Sequence, residues 1–477
     1  MSGIRRSTPL SFNNPPFSTL ADIAGLRVTV MGLGLNGGGL ASARFFARHG
    51  AEVTVTDMKT AAELAPSIEA LAEFTAIRFV LGTHELDDFS NADMVLKNPG
   101  VKLAGNLYLE SAKSIESDVS VFLRLSQAPV LAVTGSKGKS STVSALHYGM
   151  KKLGYPVFLG GNITVSPLSF LEETGPDTPV VLELSSWQLA DLRGRGLLKP
   201  RVALITPIMS DHQNWYGSMD AYVADKKLLY ADMGPESRLL CNADDGWGAI
   251  FASETRAAVH WYTGGDTLPD SASNGAWLTG DGRGIMRKDS NETDILPEKL
   301  AVPGAHMRQN LLNAAQMMVL YGADAKEAGD ALATFPGIEH RLEFFHEENG
   351  VRYYNDSAAT IPEAAAAAAA SFEKPVILLC GGTDKNLEFT PLAEAARNVQ
   401  RLLLLDGTGT EKLIPLLAER NIPFDGPFGS LEALVEAAKR RASPGDIVVF
   451  SPGATSFGMF KNEFDRGRKF KGLFQQF

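Results

Sequence analysis

The chain has 477 residues, 44% hydrophobic and 21% charged, which is globular composition too long for one core, so two or three domains are expected. Its formal net charge of −10 argues against general nucleic-acid binding, and no basic run reverses that. No apolar segment reaches the ~20 residues that cross a bilayer, and the N-terminus lacks a charged-then-apolar signal pattern, so a cytoplasmic protein with no membrane partner is the expectation.

In chain order, residues 1–24, rich in Ser, Pro and Asn, read as a loose extension. The first unit, residues 25–115, opens with an apolar strand at 27–31 and continues as Gly32-Leu33-Gly34-Leu35-Asn36-Gly37-Gly38-Gly39. A helix to His49 follows, then a second strand at 52–56 that ends on Asp57. Strand, glycine turn, helix and an acidic strand tip about 20 residues on form a nucleotide-binding βαβ start; a tight turn with no ligand is the plain alternative. Residues 92–95 read as a later strand, with Lys97-Asn98-Pro99-Gly100 as its loop.

The second unit, 116–337, starts with a helix near Glu116. A strand at 129–133 runs into Thr134-Gly135-Ser136-Lys137-Gly138-Lys139-Ser140-Ser141, and helical spacing follows at Val143, Leu146, Met150 and Leu153. The two glycines let backbone N–H groups approach phosphate oxygens, Lys139 supplies charge near the β/γ-phosphates, and the Ser140 hydroxyl can ligate Mg²⁺. Val133 stands where the common P-loop has its first glycine. Further strands are expected at 179–184, 202–207 and 237–241, and a helix at 307–321. Residues 253–297 read as turns and short strands outside the core.

The third unit, 338–477, repeats strand–helix alternation: strands at 352–354, 375–380, 401–406 and 446–450, helices near 391–398, 411–419 and 431–440, and an alanine-rich helix at 363–370 with a thin side for close packing. Cys241 and Cys380 end apolar runs and read as buried thiols.

Chemistry-bearing residues sit after strands. Glu183 ends one, ahead of Leu184-Ser185-Ser186-Trp187-Gln188, and a carboxylate there can hold Mg²⁺ beside cradled phosphates. Asp211-His212 follows the next strand, and Lys226 lies on a helix beyond it. Alone, each has a plain reading as well: a solvated strand-end Glu, a structural His, a surface Lys. Asn310 and Asn313 share one helix face at i and i+3. In the third unit the dense spots are His340-Arg341-x-Glu343, Asn355-Asp356-Ser357-Ala358, Gly381-Gly382-Thr383-Asp384-Lys385, and Ser451-Pro452-Gly453-Ala454-Thr455-Ser456-Phe457 with Asn462 and Arg466-Gly467. Polar glycine-rich loops at consecutive strand ends make an anion-binding wall.

Taken in order, with Gly161-Asn162-Ile163 and Asn242-Ala243-Asp244-Asp245 added, these motifs resemble the ATP-dependent amino-acid ligases of peptidoglycan precursor synthesis, over roughly residues 27–472. The shorter Thr-Gly-x-x-Gly-Lys-Ser loop is similar to the form that family uses. The glycine start, the Asn355-Asp356-Ser357 spot and the C-terminal motif look most like the branch that adds D-glutamate to UDP-N-acetylmuramoyl-L-alanine. The resemblance implies an α/β protein of three domains: a Rossmann-like UDP-binding domain, a central P-loop ATPase-like domain on a parallel sheet, and a Rossmann-like C-terminal domain that takes the amino acid.

It also implies roles. Gly135, Ser136, Lys137, Gly138, Lys139, Ser140 and Ser141, with Asn310, Asn313, Arg341 and Asp356, would bind ATP. Ser140, Glu183 and His212 would hold Mg²⁺, in two sites. Lys139, Glu183, His212 and Lys226 would be catalytic, Lys226 as a carbamate. Leu35, Asn36, Asp57 and Gly100 would hold the uridine nucleotide. Asn162, Ser185 and Gln188 would touch the UDP-sugar substrate, and Lys385, Ser456 and Phe457 the incoming glutamate. The expected protein is a monomer acting on small molecules in cell-wall precursor synthesis, and hence in cell shape and division.

Two residues depart from the family's pattern. Ala358 stands where a lysine commonly grips the amino acid, and Lys137 where Asn is frequent. L-Glu or another amino acid is therefore an open alternative. A P-loop NTPase or kinase acting on a small acceptor is the second class, and a nicotinamide oxidoreductase, suggested only by residues 32–37, the third.

Overall fold

The computed structural model describes residues 15–35, 37–163, 165–211 and 213–474. The first sheet has five parallel strands in the order Arg78–Leu81, Glu52–Asp57, Arg27–Met31, Met94–Lys97 and Ile115–Glu116. Both faces are covered, so Val28, Val30, Val53, Val55, Val95 and Leu96 are all buried, as a parallel sheet requires. The strand order reverses beside Arg27–Met31, which opens a crevice at its carboxyl end.

Several sequence expectations shift here. The strand expected at 92–95 is Met94–Lys97, because the Asp93 carboxylate turns back to take the Arg27 backbone N–H and pair with its guanidinium. The helix expected at Glu116 starts at Asp118, capped by Ser117, and Ile115–Glu116 becomes the edge strand of the first sheet. Residues 15–24 are not loose. Phe17 packs edge-on against Phe46, and Ile23 is fully buried in a 3₁₀ turn, Leu20–Ile23. Two apolar side chains anchor a polar segment whose average composition hides them.

The second sheet has nine strands: Asn291–Leu296, Gly284–Lys288, Gly275–Leu278, Ala258–Tyr262, Arg238–Asn242, Val202–Ile205, Val130–Thr134, Val180–Glu183 and Phe158–Gly161. The central ones run parallel, and two antiparallel pairings finish one edge. Residues 253–297 hold turns and short strands as expected, but those strands belong to this sheet and do not lie outside the core. Leu268, Ala272 and Trp277 form a small core of their own there. The helix Gly246–Glu254, capped by the Asp245 carboxylate on Gly248 N–H at 2.9 Å, was hidden by its glycines.

The third sheet orders as Glu343–Glu348, Val351–Asn355, Ile447–Phe450, Ile377–Gly381, Arg401–Leu405 and Asp425–Phe428, with only the first pairing antiparallel. Leu378, Cys380, Leu402 and Leu404 face one core, and Ile377, Leu379, Leu403 and Leu405 the other. The alanine-rich helix is Pro362–Ala369. Its buried Ala365 and Ala368 let it lie close to helix Thr390–Ala395, as the thin side predicts.

Packing divides the chain into two units, one running through Leu296 with Leu312–Gly329, the other Pro297–Leu311 with Asp330–Phe477. Both cysteines are free and buried. Among the described residues no helix is long and apolar enough to cross a membrane.

Candidate active site

The strand Val130–Thr134 empties into the glycine loop, and Gly138, in the left-handed region at φ 88°, caps helix Lys139–Lys152 with no side chain of its own. The first-turn N–H groups are thus left for an anion. A Cβ at Gly135 (φ 138°) would overlap the Thr206 hydroxyl, so only glycine lets the loop lie against the next strand end. Two bonds clip the loop there: Ser136 N–H to Pro207 O at 3.1 Å, and Met209 N–H to Ser136 Oγ at 2.9 Å.

Two lysines converge on one carbonyl. Lys139 Nζ donates to Gly135 O at 2.8 Å and Ser136 O at 3.0 Å. Lys226 Nζ, from helix Met219–Lys226, donates to the same Gly135 O at 2.8 Å and lies 4.5 Å from the Tyr222 ring centre. Lys226 is 1% exposed. Burial pushes its amine down to about 7, and the neighbouring Lys139 charge adds to this, against the pull of Asp211, Asp225 and Glu183. Burial also lowers Lys139, opposed by Glu183 and Asp211. Lys137 is exposed and Ser140 and Ser141 half-buried.

Glu183, 1% exposed, ends its strand beside these lysines. Its Oε1 accepts from Asn162 Nδ2 at 2.8 Å, while Oε2 and the Thr206 hydroxyl have no hydrogen-bond partner among the described residues. A buried carboxylate oxygen without a donor is costly unless a cation completes it. A divalent ion with Glu183 as one ligand, and phosphate and water oxygens for the rest, fits this donor set. His212 and Asn36 lie outside the described residues. No cluster of three His, Cys, Asp or Glu exists among those described.

Ser185 and Gln188 have a local job that the sequence reading missed. Ser185 Oγ takes the Gln188 N–H at 3.3 Å and Gln188 Oε1 takes the Ser185 N–H at 3.1 Å, a reciprocal cap on helix Ser186–Ala190. The resemblance gives Asn162 a substrate contact only; its grip on Glu183 carries no sequence signal.

At the first sheet's crevice Asp57 accepts N–H groups of Gly34 at 3.1 Å and Lys59 at 2.9 Å. Leu35 is exposed, and Gly100 is exposed with its N–H on Asn98 Oδ1. Gly32, Gly39, Ser42, Lys97, Asn98 and Asp118 line a pocket at this switch point.

In the third unit Asp356 is buried, accepting from Leu342 N–H at 3.0 Å and Ser451 Oγ at 2.5 Å, and burial pushes it up to about 6. Arg466, fully buried, donates to Ser357 Oγ and O and to Ala454 O at 2.9–3.0 Å, which locks the Asp356 and Ser451 loops together. Thr383 and Thr455 pair across the next two loops, so Ser456 is buried while Phe457 stands 64% exposed. Lys385 and Arg341 are exposed. Asn310 is half-buried and Asn313 buried on helix Ala305–Tyr321. The structure thus gathers Lys139, Lys226, Glu183 and Asn162 into one cluster, and Asp356 and Ser456 onto neighbouring loops of another.

A glycine phosphate loop with a buried lysine and carboxylate, in a chain of three α/β sheets, defines a nucleotide-dependent α/β enzyme. The chain belongs to the Mur ligase family: residues 26–120 match its MurD-like N-terminal domain, 133–318 its middle domain and 340–453 its glutamate ligase domain. It is 45% identical to the UDP-N-acetylmuramoylalanine–D-glutamate ligase of Treponema pallidum, over 94% of this chain and 97% of that one. The enzyme of that name from Roseiflexus is 40% identical, over 95% and 99%. Among solved structures, the UDP-N-acetylmuramate–alanine ligase of Thermotoga maritima shares the fold, with a TM-score of 0.54 at 18% identity, over 94% of this chain and 99% of that one.

Proposed function

We infer that this chain is an ATP-dependent carbon–nitrogen ligase that joins D-glutamate to UDP-N-acetylmuramoyl-L-alanine, releasing ADP and phosphate, in peptidoglycan precursor synthesis. The observation that carries the reading is local: two lysines meet on the Gly135 carbonyl beside a buried carboxylate oxygen that lacks a donor. Such a cluster is built for charge that arrives with a ligand.

In this reading the alanine carboxylate oxygen attacks the γ-phosphorus, ADP leaves, the glutamate amine attacks the acyl carbon, and phosphate leaves as the amide forms. Lys139 and the loop N–H groups at Gly135, Ser136, Lys137, Gly138, Ser140 and Ser141 neutralise and position the phosphates, which is most of what phosphoryl transfer asks of a protein. Bound Mg²⁺ would spread the phosphate charge, with Ser140 as ligand of one ion, and Glu183 and His212 of a second. Lys226, driven toward the neutral amine, can add CO₂ and lose a proton to become a carbamate. That exchanges a cation for an anion beside Glu183.

Leu35, Asn36, Asp57 and Gly100 hold the uridine nucleotide. Asn162 reaches substrate through the carboxylate it orients, and Ser185 and Gln188 fix the strand end beside it. Asn310, Asn313, Arg341 and Asp356 are proposed as ATP contacts, and Lys385, Ser456 and Phe457 as glutamate contacts. The domains are taken at 25–115, 116–337 and 338–477, with residues 15–24 and the edge-strand residue Glu116 packed onto the first, in a monomer working in the cytoplasm, where ATP and UDP-sugars are found. With Ala358 uncharged, Lys385 carries more of the pairing to glutamate.

The test is phosphate release with UDP-N-acetylmuramoyl-L-alanine and each of D-Glu, L-Glu, D-Asp and L-Lys. Release that needs both the UDP-sugar and D-Glu is expected. Release with neither would sink the ligase reading in favour of a simple NTPase.

A further inference from the structure

Lys97 ends the strand Met94–Lys97, opposite Met31 at the first sheet's switch point, yet its side chain is 3% exposed. Its ammonium is fully used. It donates to Asn98 O at 3.1 Å and Val101 O at 2.9 Å, and pairs with Asp191 Oδ2 at 3.0 Å. The loop it gathers holds Gly100. Asp191 ends helix Ser186–Ala190, which begins just after Glu183. Its own segment is fixed in turn: Arg195 Nε donates to Asp191 O at 2.6 Å, and its other nitrogens reach Ile115 O at 2.7 Å and Glu116 at 2.9 Å. At the far end of the loop, Lys102 Nζ lies 4.2 Å from the Trp215 ring centre, and Trp215 leans on Trp187 at 4.8 Å. Trp215 follows Asp211 by four residues, and Trp187 follows Glu183 by four.

A buried lysine that only filled space would be cheaper as a methionine. This one donates to the loop carbonyls of Asn98, Pro99 and Val101 and forms an ion pair with a carboxylate at the end of the helix that follows the catalytic strand. We propose that Lys97 is a positioning residue for the UDP-sugar substrate: with Asp191 it holds the 98–101 loop at a fixed distance from the strand end that carries Glu183, and Lys102 on Trp215 steadies the loop's other side. The proposal rests on reading Gly100 and Asp57 as contacts to the uridine nucleotide. Asp191 is buried among Lys97, Arg195 and Asp118, with Glu116 and Arg124 behind Arg195. Burial raises its carboxyl to about 6, so the pair weakens as pH falls through that value.

Steady-state phosphate release tests this in wild type, Lys97→Met, and Lys97→Met/Asp191→Leu, the last removing both charges so that neither is stranded. Both variants should raise KM for UDP-N-acetylmuramoyl-L-alanine about tenfold or more, with KM for ATP unchanged and kcat within about threefold. The wild-type rise in this KM below about pH 6 should vanish in the double variant. A double variant that melts like wild type and keeps the wild-type KM and its acid rise overturns the proposal, as does an equal rise in both KM values. Calorimetry with UDP alone separates the two readings. A wild type that binds UDP but releases no phosphate defeats the ligase reading, while a tenfold loss of UDP affinity in Lys97→Met still upholds this one.

Discussion

Two glycine turns in this molecule use the same backbone device for different ends. In both, a parallel strand runs into a left-handed glycine, Gly37 at φ 89° or Gly138 at φ 88°, that caps a helix without a side chain. In both, a glycine is forced by a close approach: a Cβ at Gly39 would overlap Gly32 O, and one at Gly135 the Thr206 hydroxyl. The charge around them differs. Residues 32–39 contain no cation, and the carboxylate of Asp57 takes the Gly34 N–H. The second loop has Lys139 and Lys226 on a single carbonyl, with Glu183 beside them. The backbone sets where a nucleotide can approach. In the proposed function, side chains from other elements set whether that part is merely held, as a ribose would be, or made to react, as a phosphate would be.

Removing Lys139 should break the comparison most completely. Lys139→Ala is expected to cut phosphate release by about a thousandfold or more, since charge neutralisation is the main catalytic term, with little change in melting temperature. Full activity in that variant would refute the assignment of the loop. Lys226→Met should lose activity on a similar scale while gaining stability, because a buried amine is exchanged for an apolar chain of similar length. The sign follows from the amine's fall to about 7 from an ordinary value near 10.5. Wild-type stability is eroded as pH drops from about 10 toward 7, where only the unfolded lysine takes a proton, so the stability gap to the methionine variant should widen over that range and level off below it. Denaturant titrations across pH measure this. Bicarbonate or a short carboxylate should partly restore Lys226→Ala; a variant running at wild-type rate would exclude the carbamate.

Smaller effects sharpen the contrast from the first turn. Gly39→Ala should cost about 1–3 kcal/mol of stability, from overpacking against a backbone oxygen that cannot retreat. Asp57→Asn should raise KM for the UDP substrate about tenfold, the scale of one lost hydrogen bond to a charged acceptor, and leave KM for ATP alone. An Asp57→Asn variant that instead altered ATP affinity would mean the two turns are not functionally separate.

Much of the fold was legible because its strands are buried on both faces and read as short apolar runs between glycine turns. The strand Arg27–Met31 and the helices Thr408–Glu419 and Leu431–Arg441 fall close to their expected places. The misses share a cause. Asp425–Phe428 contains Gly and Pro, Glu343–Glu348 carries three glutamates, and Gly275–Leu278 lies in a polar stretch, so each becomes a strand only by pairing with a neighbour far along the chain. Phe17 and Ile23 were lost in the average of a polar segment.

For the site, the order of motifs along the chain was enough to suggest the residue types and the ligase family, because a phosphate loop, a strand-end carboxylate and polar strand-end loops are local patterns. What no local pattern carries is convergence. Lys226 looks like an ordinary helix lysine in sequence. Only the fold buries it, places it on the carbonyl that Lys139 also uses, and so lowers its amine to about 7. Asn162 on Glu183, Arg466 beneath the Asp356 loop, and Lys97 on Asp191 are likewise pairings over 21 to 109 residues. Sequence by itself determined which chemical groups are present and which strand each one follows; the tertiary structure alone decided which of them meet out of water, and therefore how strongly each charge acts.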